Sequence, residues 1–270
     1  MLEKLSLGLR TEIMMLKPFA DALRHSDCLQ FVSPTMPDYF FGNCLIFPKP
    51  PEAGDFSRWT SRFKTLFAAR ADVRHQTFLW PSHHFDASGI LPFTEAGFEL
   101  DVTAVITSAQ PKARRSLRAG IALRQVTSDA DWQAASDLQI SVGLEDMEYS
   151  GYSDFERRRM AVLRRWAKAG NGGWFGAFES SKLVGSLGLY VESGVARYQA
   201  VGTHKKYRGR GVASALLEFA AQCIAEQHDV EQFVIIADQD SNAHRHYLKS
   251  GFQFNSAEHS LMRAPQTDPD

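Results

Sequence analysis

Hydrophobic spacing along residues 121–263 switches between a period of two and a period near 3.6, and the switches mark out elements. Ile121–Val126 reads as a strand. A helix follows from Ser128, capped with Asp131 three residues on, to Val142. Gly143–Tyr152 reads as an acidic, aromatic loop, and a second helix runs from a Ser153 cap to Ala169. After the turn at Gly170, Gly172 and Gly173 come three strands, Trp174–Phe178, Leu183–Val191 and Ala196–Thr203. The short connections Ser180–Lys182 and Glu192–Gly194 predict antiparallel neighbours. Val212, Leu216, Phe219, Ala220 and Cys223 then form the apolar stripe of a helix. Phe233–Ala237 is a continuous apolar run, predicted as a buried parallel strand. A last helix, Asn242–Lys249, stops at Gly251, and two closing strands are expected from Phe252 to Arg263.

The first hundred residues are less periodic. Prolines at 34, 37, 48, 50 and 51 punctuate them. Tyr39–Phe47 and Gln76–Trp80 read as strands, Phe98–Thr107 as an alternating one. Asp55–Ala69 reads as a helix capped by Asp55, and the first 28 residues fit helix or strand equally. Ser108–Gly120, with Pro111 and four basic residues, reads as a linker. The resulting division is residues 1–110, a linker 111–119, a second domain 120–264 and a polar tail 265–270. Ala96-Gly97-Phe98-Glu99-Leu100 echoes Ser250-Gly251-Phe252-Gln253-Phe254, which predicts that the two domains are relatives.

Composition narrows the function classes. The chain has 270 residues, 44% hydrophobic and 23% charged, with a net charge of −1, so bulk charge argues against a nucleic-acid binder. No apolar run is long enough for a membrane span, and charge in the first twenty residues argues against an export signal. Three widely spaced cysteines fit neither a disulfide framework nor a zinc site, so a cytoplasmic location is expected. His75, His83, His84 and Asp86 have no ligand spacing, and no metal is expected.

The chemistry concentrates in Thr203–Ala213, T-H-K-K-Y-R-G-R-G-V-A, between a strand and a helix. Gly209 and Gly211 permit a tight turn that brings backbone N–H groups near a ligand. The helix start adds unpaired donors and partial positive charge, a ready site for phosphate. Neither nucleotide-loop spacing, G-x-x-x-x-G-K-[ST] nor G-x-G-x-x-G, is present.

Arg208-Gly209-Arg210-Gly211-Val212-Ala213 resembles the R/Q-x-x-G-x-G/A signature of the GNAT N-acetyltransferase superfamily. Asp240, Ala243, Tyr247, Gly251 and Phe252 are similar to that family's N-x-x-A-x-x-x-Y-x-x-x-G-F stretch, and the order of elements over Ile121–Met262 agrees. The resemblance implies an α+β fold with a mixed sheet, the GNAT acyl-CoA N-acyltransferase fold, preceded by a smaller, degenerate GNAT-like domain. It implies acetyl-CoA as acyl donor, its pyrophosphate on Arg208–Ala213 and its pantetheine arm along Val201, Gly202, Thr203, Asp240 and Ala243. Three features depart from the pattern. Asp240 stands where Asn is usual, Lys205 where Pro is usual, and Ala196–Thr203 carries no carboxylate.

Acetyl transfer to an amine needs a proton removed from the nucleophile and one supplied to the leaving thiolate. By resemblance Tyr247 is the acid. Glu145 and Glu148, with Asp146, lie in the loop that in the family borders the acceptor, where carboxylates attract a cationic amine and relay its proton. Glu192 and His204 are weaker candidates for the base. Direct attack in a ternary complex is expected, because Cys223 falls on a core-facing stripe and no other cysteine lies in this domain. A non-catalytic acyl-CoA sensor keeps the same loop and stays open. A homodimer is compatible with the sequence, and the acceptor is not legible in it.

Overall fold

The computed structural model describes residues 5–81, 86–113, 116–145 and 151–265. The chain divides into two compact units. One comprises residues up to Ala104 together with the stretch from Ser256, the other Val105–Asn255.

The second unit holds helices α4 (Asp129–Gly143), α5 (Tyr152–Lys168), α6 (Val212–Ala225) and α7 (Asn242–Lys249). Its strands are β6 (Ile121–Gln125), β7 (Gly172–Glu179), β8 (Lys182–Glu192), β9 (Val195–Thr203) and β10 (Gln232–Asp238), joined by part of β5 (Glu99–Ser108), in the order β5-β10-β9-β8-β7-β6. β6 to β9 are antiparallel neighbours, and β9 and β10 are parallel. The β8–β9 turn is a two-residue loop in which Ser193 (φ 50°) and Gly194 (φ 76°) both take the left-handed conformation that matches strand twist. Gly185 and Ser186, adjacent on β8, face opposite helices. A Cβ on Gly185 would lie 2.6 Å from Val212 of α6, whereas Ser186 meets Gln139 of α4. Alternation on one strand thus packs helices on both faces.

The first unit contains α1 (Leu7–Leu16), β1 (Asp21–Arg24), β2 (Leu29–Val32), β3 (Asn43–Ile46), α2 (Asp55–Leu66), β4 (Gln76–Trp80) and α3 (Ala87–Glu95). β1, β2 and β3 are antiparallel, and β3 and β4 are parallel. One face of β4 presents Phe78 and Trp80 to a cluster with Phe47, Trp59, Phe63 and Phe93, while Leu79 joins Leu9, Leu16 and Phe31 on the other. Burial of these side chains is the main stabilising term of this unit.

The sequence echo has a structural basis. β3–α2–β4–α3–β5 repeats the order β9–α6–β10–α7–β11, where β11 is Gln253–Arg263. Both echo glycines follow a helix with positive φ, Gly97 at 82° and Gly251 at 89°. In both, the next phenylalanine donates its N–H back into the helix, Phe98 to Phe93 and Phe252 to Tyr247. Phe93 therefore stands in the first unit where Tyr247 stands in the second, and it carries no hydroxyl.

Several expectations are corrected. The chain closes with one strand, β11, rather than two. The expected second domain ran from 120 to 264, yet from Ser256 on β11 clusters with the first unit, pairing antiparallel with β4 (Leu261 opposite Phe78), and from Val105 on β5 clusters with the second. Strand pairing is non-local, so proximity in sequence does not decide it. Phe40–Gly42 forms a turn, and only Asn43–Ile46 is strand. Gly54 (φ 92°), not Asp55, is the cap of α2; Asp55 instead accepts from the Glu52 N–H. α5 begins at Tyr152 with Gly151 as its cap. The Ser128 cap is as expected, its side chain accepting from the Asp131 N–H.

Candidate functional site

β9 is the spine of the site. Its parallel pairing with β10 covers Val195–Arg197 against Gln232–Val234, and β9 then runs on to Thr203 beside β8. The register of β8 and β9 shifts between Ser186–Gly202 and Gly188–Gln199, so Ala200 and Val201 bulge, and Ala200 takes φ 49°. A bulge leaves backbone groups out of the ladder and bends the strand. Gln139 of α4 compensates by donating to the Ala200 carbonyl at 2.8 Å and to Ser186 Oγ at 3.0 Å. Val201, Gly202 and Thr203 thus lie on a strand segment that has parted from β10. Gln139 and Ser186 were not singled out from the sequence, where a glutamine in a helix reads as a solvent-facing residue.

Beyond Thr203 the chain makes one 3₁₀ turn, Lys205–Tyr207, and enters the glycine loop. Gly209 (φ 73°) and Gly211 (φ 80°) both take the left-handed conformation. A Cβ at Gly209 would meet nothing within 4 Å, so its requirement is conformational and not steric. Gly211 caps α6 without a side-chain bond, and the first helical bond runs from the Ala215 N–H to the Gly211 carbonyl. The amides of Val212, Ala213 and Ser214 precede it and remain available to an anion. Tyr207 anchors the turn, its hydroxyl donating to Glu179 at the end of β7 while the Arg210 guanidinium lies over its ring at 5.1 Å.

Arg208 donates from Nε to the Thr203 carbonyl at 3.0 Å and pairs through its terminal nitrogen with Glu145 at 2.8 Å. The structure therefore brings one of the carboxylates expected on the acceptor side, Glu145, onto the glycine loop. Glu148 and Asp146 lie outside the described residues, as do His83 and His84.

α7 carries the remaining candidates. Asp240 is exposed with φ 62°, and its N–H donates to His244 Nδ1 at 3.2 Å. Ala243 is exposed. Tyr247 is buried against Phe252, and burial pushes its hydroxyl well above the ordinary tyrosine range. It stays neutral across the working pH range and can donate a hydrogen bond. His246, its affinity for a proton lowered by burial, hydrogen-bonds Ser214 of α6 at 3.3 Å and ties the two helices together. Of the predicted stripe on α6, Val212, Leu216 and Ala220 are buried, together with Leu217, Ala221 and Ile224, whereas Phe219 and Cys223 are only half-buried at its margin. Burial raises the Cys223 thiol further, which makes it a poor nucleophile at neutral pH.

Among the described residues no group of three or more His, Cys, Asp or Glu side chains is arranged to hold a metal, and no helix is long and apolar enough to cross a membrane.

Residues 142–252 match the model of the acetyltransferase (GNAT) family. Among solved structures, a conserved protein of unknown function from Staphylococcus epidermidis superposes with a TM-score of 0.75 at 12% identity, over 92% of this chain and 95% of that one. A GCN5-related N-acetyltransferase from Kribbella flavida gives 0.67 at 13% identity over 97% of both chains. A tandem GNAT protein from the clavulanic acid biosynthesis pathway gives 0.54 at 13% identity, over 93% of this chain and 80% of that one. The sequence matches no curated protein at a significant level. The fold is thus the GNAT fold in its two-unit form, as the sequence resemblance implied, and residues 142–252 carry the family's signature.

Proposed function

We propose that the chain is an acyl-CoA-dependent N-acetyltransferase in which the second unit binds acetyl-CoA and catalyses transfer to a primary amine. The observation that carries this reading is the conjunction of a parted strand and an anion cradle on one stretch of chain. β9 leaves β10 after Arg197, bulges at Ala200, and ends in a doubly left-handed glycine loop that opens into a helix with no side-chain cap.

The donor fits these residues. The amides of Val212 and Ala213, with Gly209, Arg210 and Gly211, would receive a pyrophosphate. The edge from Val201 to Thr203 offers backbone groups to an amide-bearing arm, and Asp240 and Ala243 would contribute to holding it. Asp240 cannot donate from its side chain as asparagine does, so recognition there falls to backbone groups. When bound, the thioester supplies the activated acyl group. Backbone N–H groups freed by the bulge are positioned donors for charge developing on its carbonyl oxygen. Tyr247, held neutral by burial, donates to the departing sulfur, and Glu145 with Glu148 draws the cationic amine and accepts its proton. Cys223, with its raised thiol, supports direct attack by the amine over an acyl-enzyme. The first unit has Phe93 in place of the tyrosine and Pro50-Pro51 before its main helix, which removes two amide donors, so it acts as an accessory unit.

Calorimetric titration with acetyl-CoA, CoA and ADP tests the donor, and thiol release with a panel of amines tests the transfer. Saturable one-site binding of acetyl-CoA that is lost in an Arg208→Ala, Gly211→Asp double variant is the expected result. A folded sample that binds none of the three overturns the reading.

A further inference from the structure

We propose that the Arg208–Glu145 ion pair is a clasp between the two substrate sides, loosened by the pyrophosphate of the donor and thereby releasing the Glu145 carboxylate to the amine. The inference rests on the donor reading above.

Arg208 belongs to the phosphate loop, whereas Glu145 belongs to the turn that ends α4, where Leu144 caps the helix and the Glu145 N–H returns to the Val142 carbonyl. Their side chains join these segments, at 2.8 Å. The guanidinium is oriented independently of Glu145, because its Nε is already committed to the Thr203 carbonyl. That bond anchors the guanidinium at the start of the loop, so its terminal N–H groups stay there when Glu145 lets go. A pyrophosphate bound at Gly209–Ala213 draws on those same donors, and its negative charge repels the carboxylate. The Glu145 side chain is 29% exposed and that of Arg208 49%, so water screens the pair and it is weak enough to be exchanged.

The coupling is reciprocal. Donor binding frees Glu145, which then attracts a cationic amine. An amine that pairs with Glu145 frees Arg208, which then holds the donor more tightly. Glu145 thus changes partner with donor occupancy, and it holds the amine more tightly once the donor is in place.

The test is calorimetry on the full chain and on Glu145→Gln, with acetyl-CoA, ADP and acetyl-pantetheine as probes. Removing the competing carboxylate should lower the Kd for acetyl-CoA and for ADP by about two- to fivefold, the range of an exposed ion pair. Acetyl-pantetheine has no pyrophosphate, so its Kd should be the same in both proteins. In an Arg208→Gln background the Glu145→Gln effect should vanish, which isolates the pair from any general loosening of the turn. Unchanged or weaker acetyl-CoA binding in Glu145→Gln overturns the clasp, as does equal tightening for acetyl-pantetheine. Those outcomes presuppose that the wild-type chain binds acetyl-CoA; if it does not, the donor reading itself fails.

Discussion

Gln139 Nε2 lies 2.8 Å from the carbonyl oxygen of Ala200, the residue at which β9 leaves its regular ladder. Gln139 and its second acceptor Ser186 are both buried. One side-chain amide thus satisfies two groups that the bulge would leave stranded. Replacing it with leucine removes both bonds while roughly keeping volume. The expected cost is about 1–3 kcal/mol, the penalty of a buried unsatisfied acceptor, read as a lower melting temperature. Turnover should fall more than donor affinity, because the bulge sits ahead of the glycine loop proposed to hold the pyrophosphate. Unchanged turnover in a folded Gln139→Leu protein would show that the bulge has no part in catalysis.

The glycine loop should be sensitive to backbone conformation alone. Gly209 has open space around it, yet its φ is 73°. Gly209→Ala therefore costs about 1–2 kcal/mol without any clash, or relaxes the loop to a negative φ that turns its amides away. Acetyl-CoA affinity is expected to drop at least about tenfold, the equivalent of 1.4 kcal/mol. Calorimetry beside a thermal melt separates the two responses, since relaxation keeps stability and loses affinity.

Tyr247→Phe keeps the ring that packs on Phe252 and removes only the hydroxyl. Donor affinity should be retained, while kcat should fall by about 10²-fold, the lower range for a positioned acid. Pre-steady-state thiol release reads this directly. Equal activity in the two proteins would return Tyr247 to a purely structural role.

His75 gives the first unit a pH-dependent stability. It is 2% exposed and stacked on Phe40 at 4.2 Å, and burial pushes its pKa down from 6.5 to about 4. The unfolded chain binds the proton more readily, so this contribution is complete above pH 6.5 and is lost as pH falls toward 4. The loss amounts to about 3 kcal/mol, on 1.36 kcal/mol per pKa unit. Melting temperature should decline as the pH is lowered from about 7.5 to about 4. In His75→Gln that part of the slope should disappear, and a slope equal to wild type would rule His75 out as its source.

Much of the site was legible because it is local. Thr203–Ala213 needs only its own residues to announce a turn, a helix start and a cluster of donors. Ser128 and Asp131 announce a cap for the same reason. The Gly97 and Gly251 echo was readable because a left-handed helix stop and its following phenylalanine form one contiguous motif. Asp55 misled because a short acidic side chain suits a cap by type, whereas Gly54 had already taken the left-handed turn.

What the sequence by itself determined was therefore most elements of the second unit and the glycine loop, set by periodicity and by backbone preferences acting over a few residues. Tertiary structure alone decided that β11 returns to the first unit and β5 reaches the second, that Gln139 supports Ala200 from 61 positions away, and that Arg208 takes Glu145 as its partner. Each of these is a choice among chemically equivalent partners, any strand edge, any buried amide, any carboxylate. Such choices depend on which groups the packed core brings within hydrogen-bonding distance, and local sequence carries no record of that.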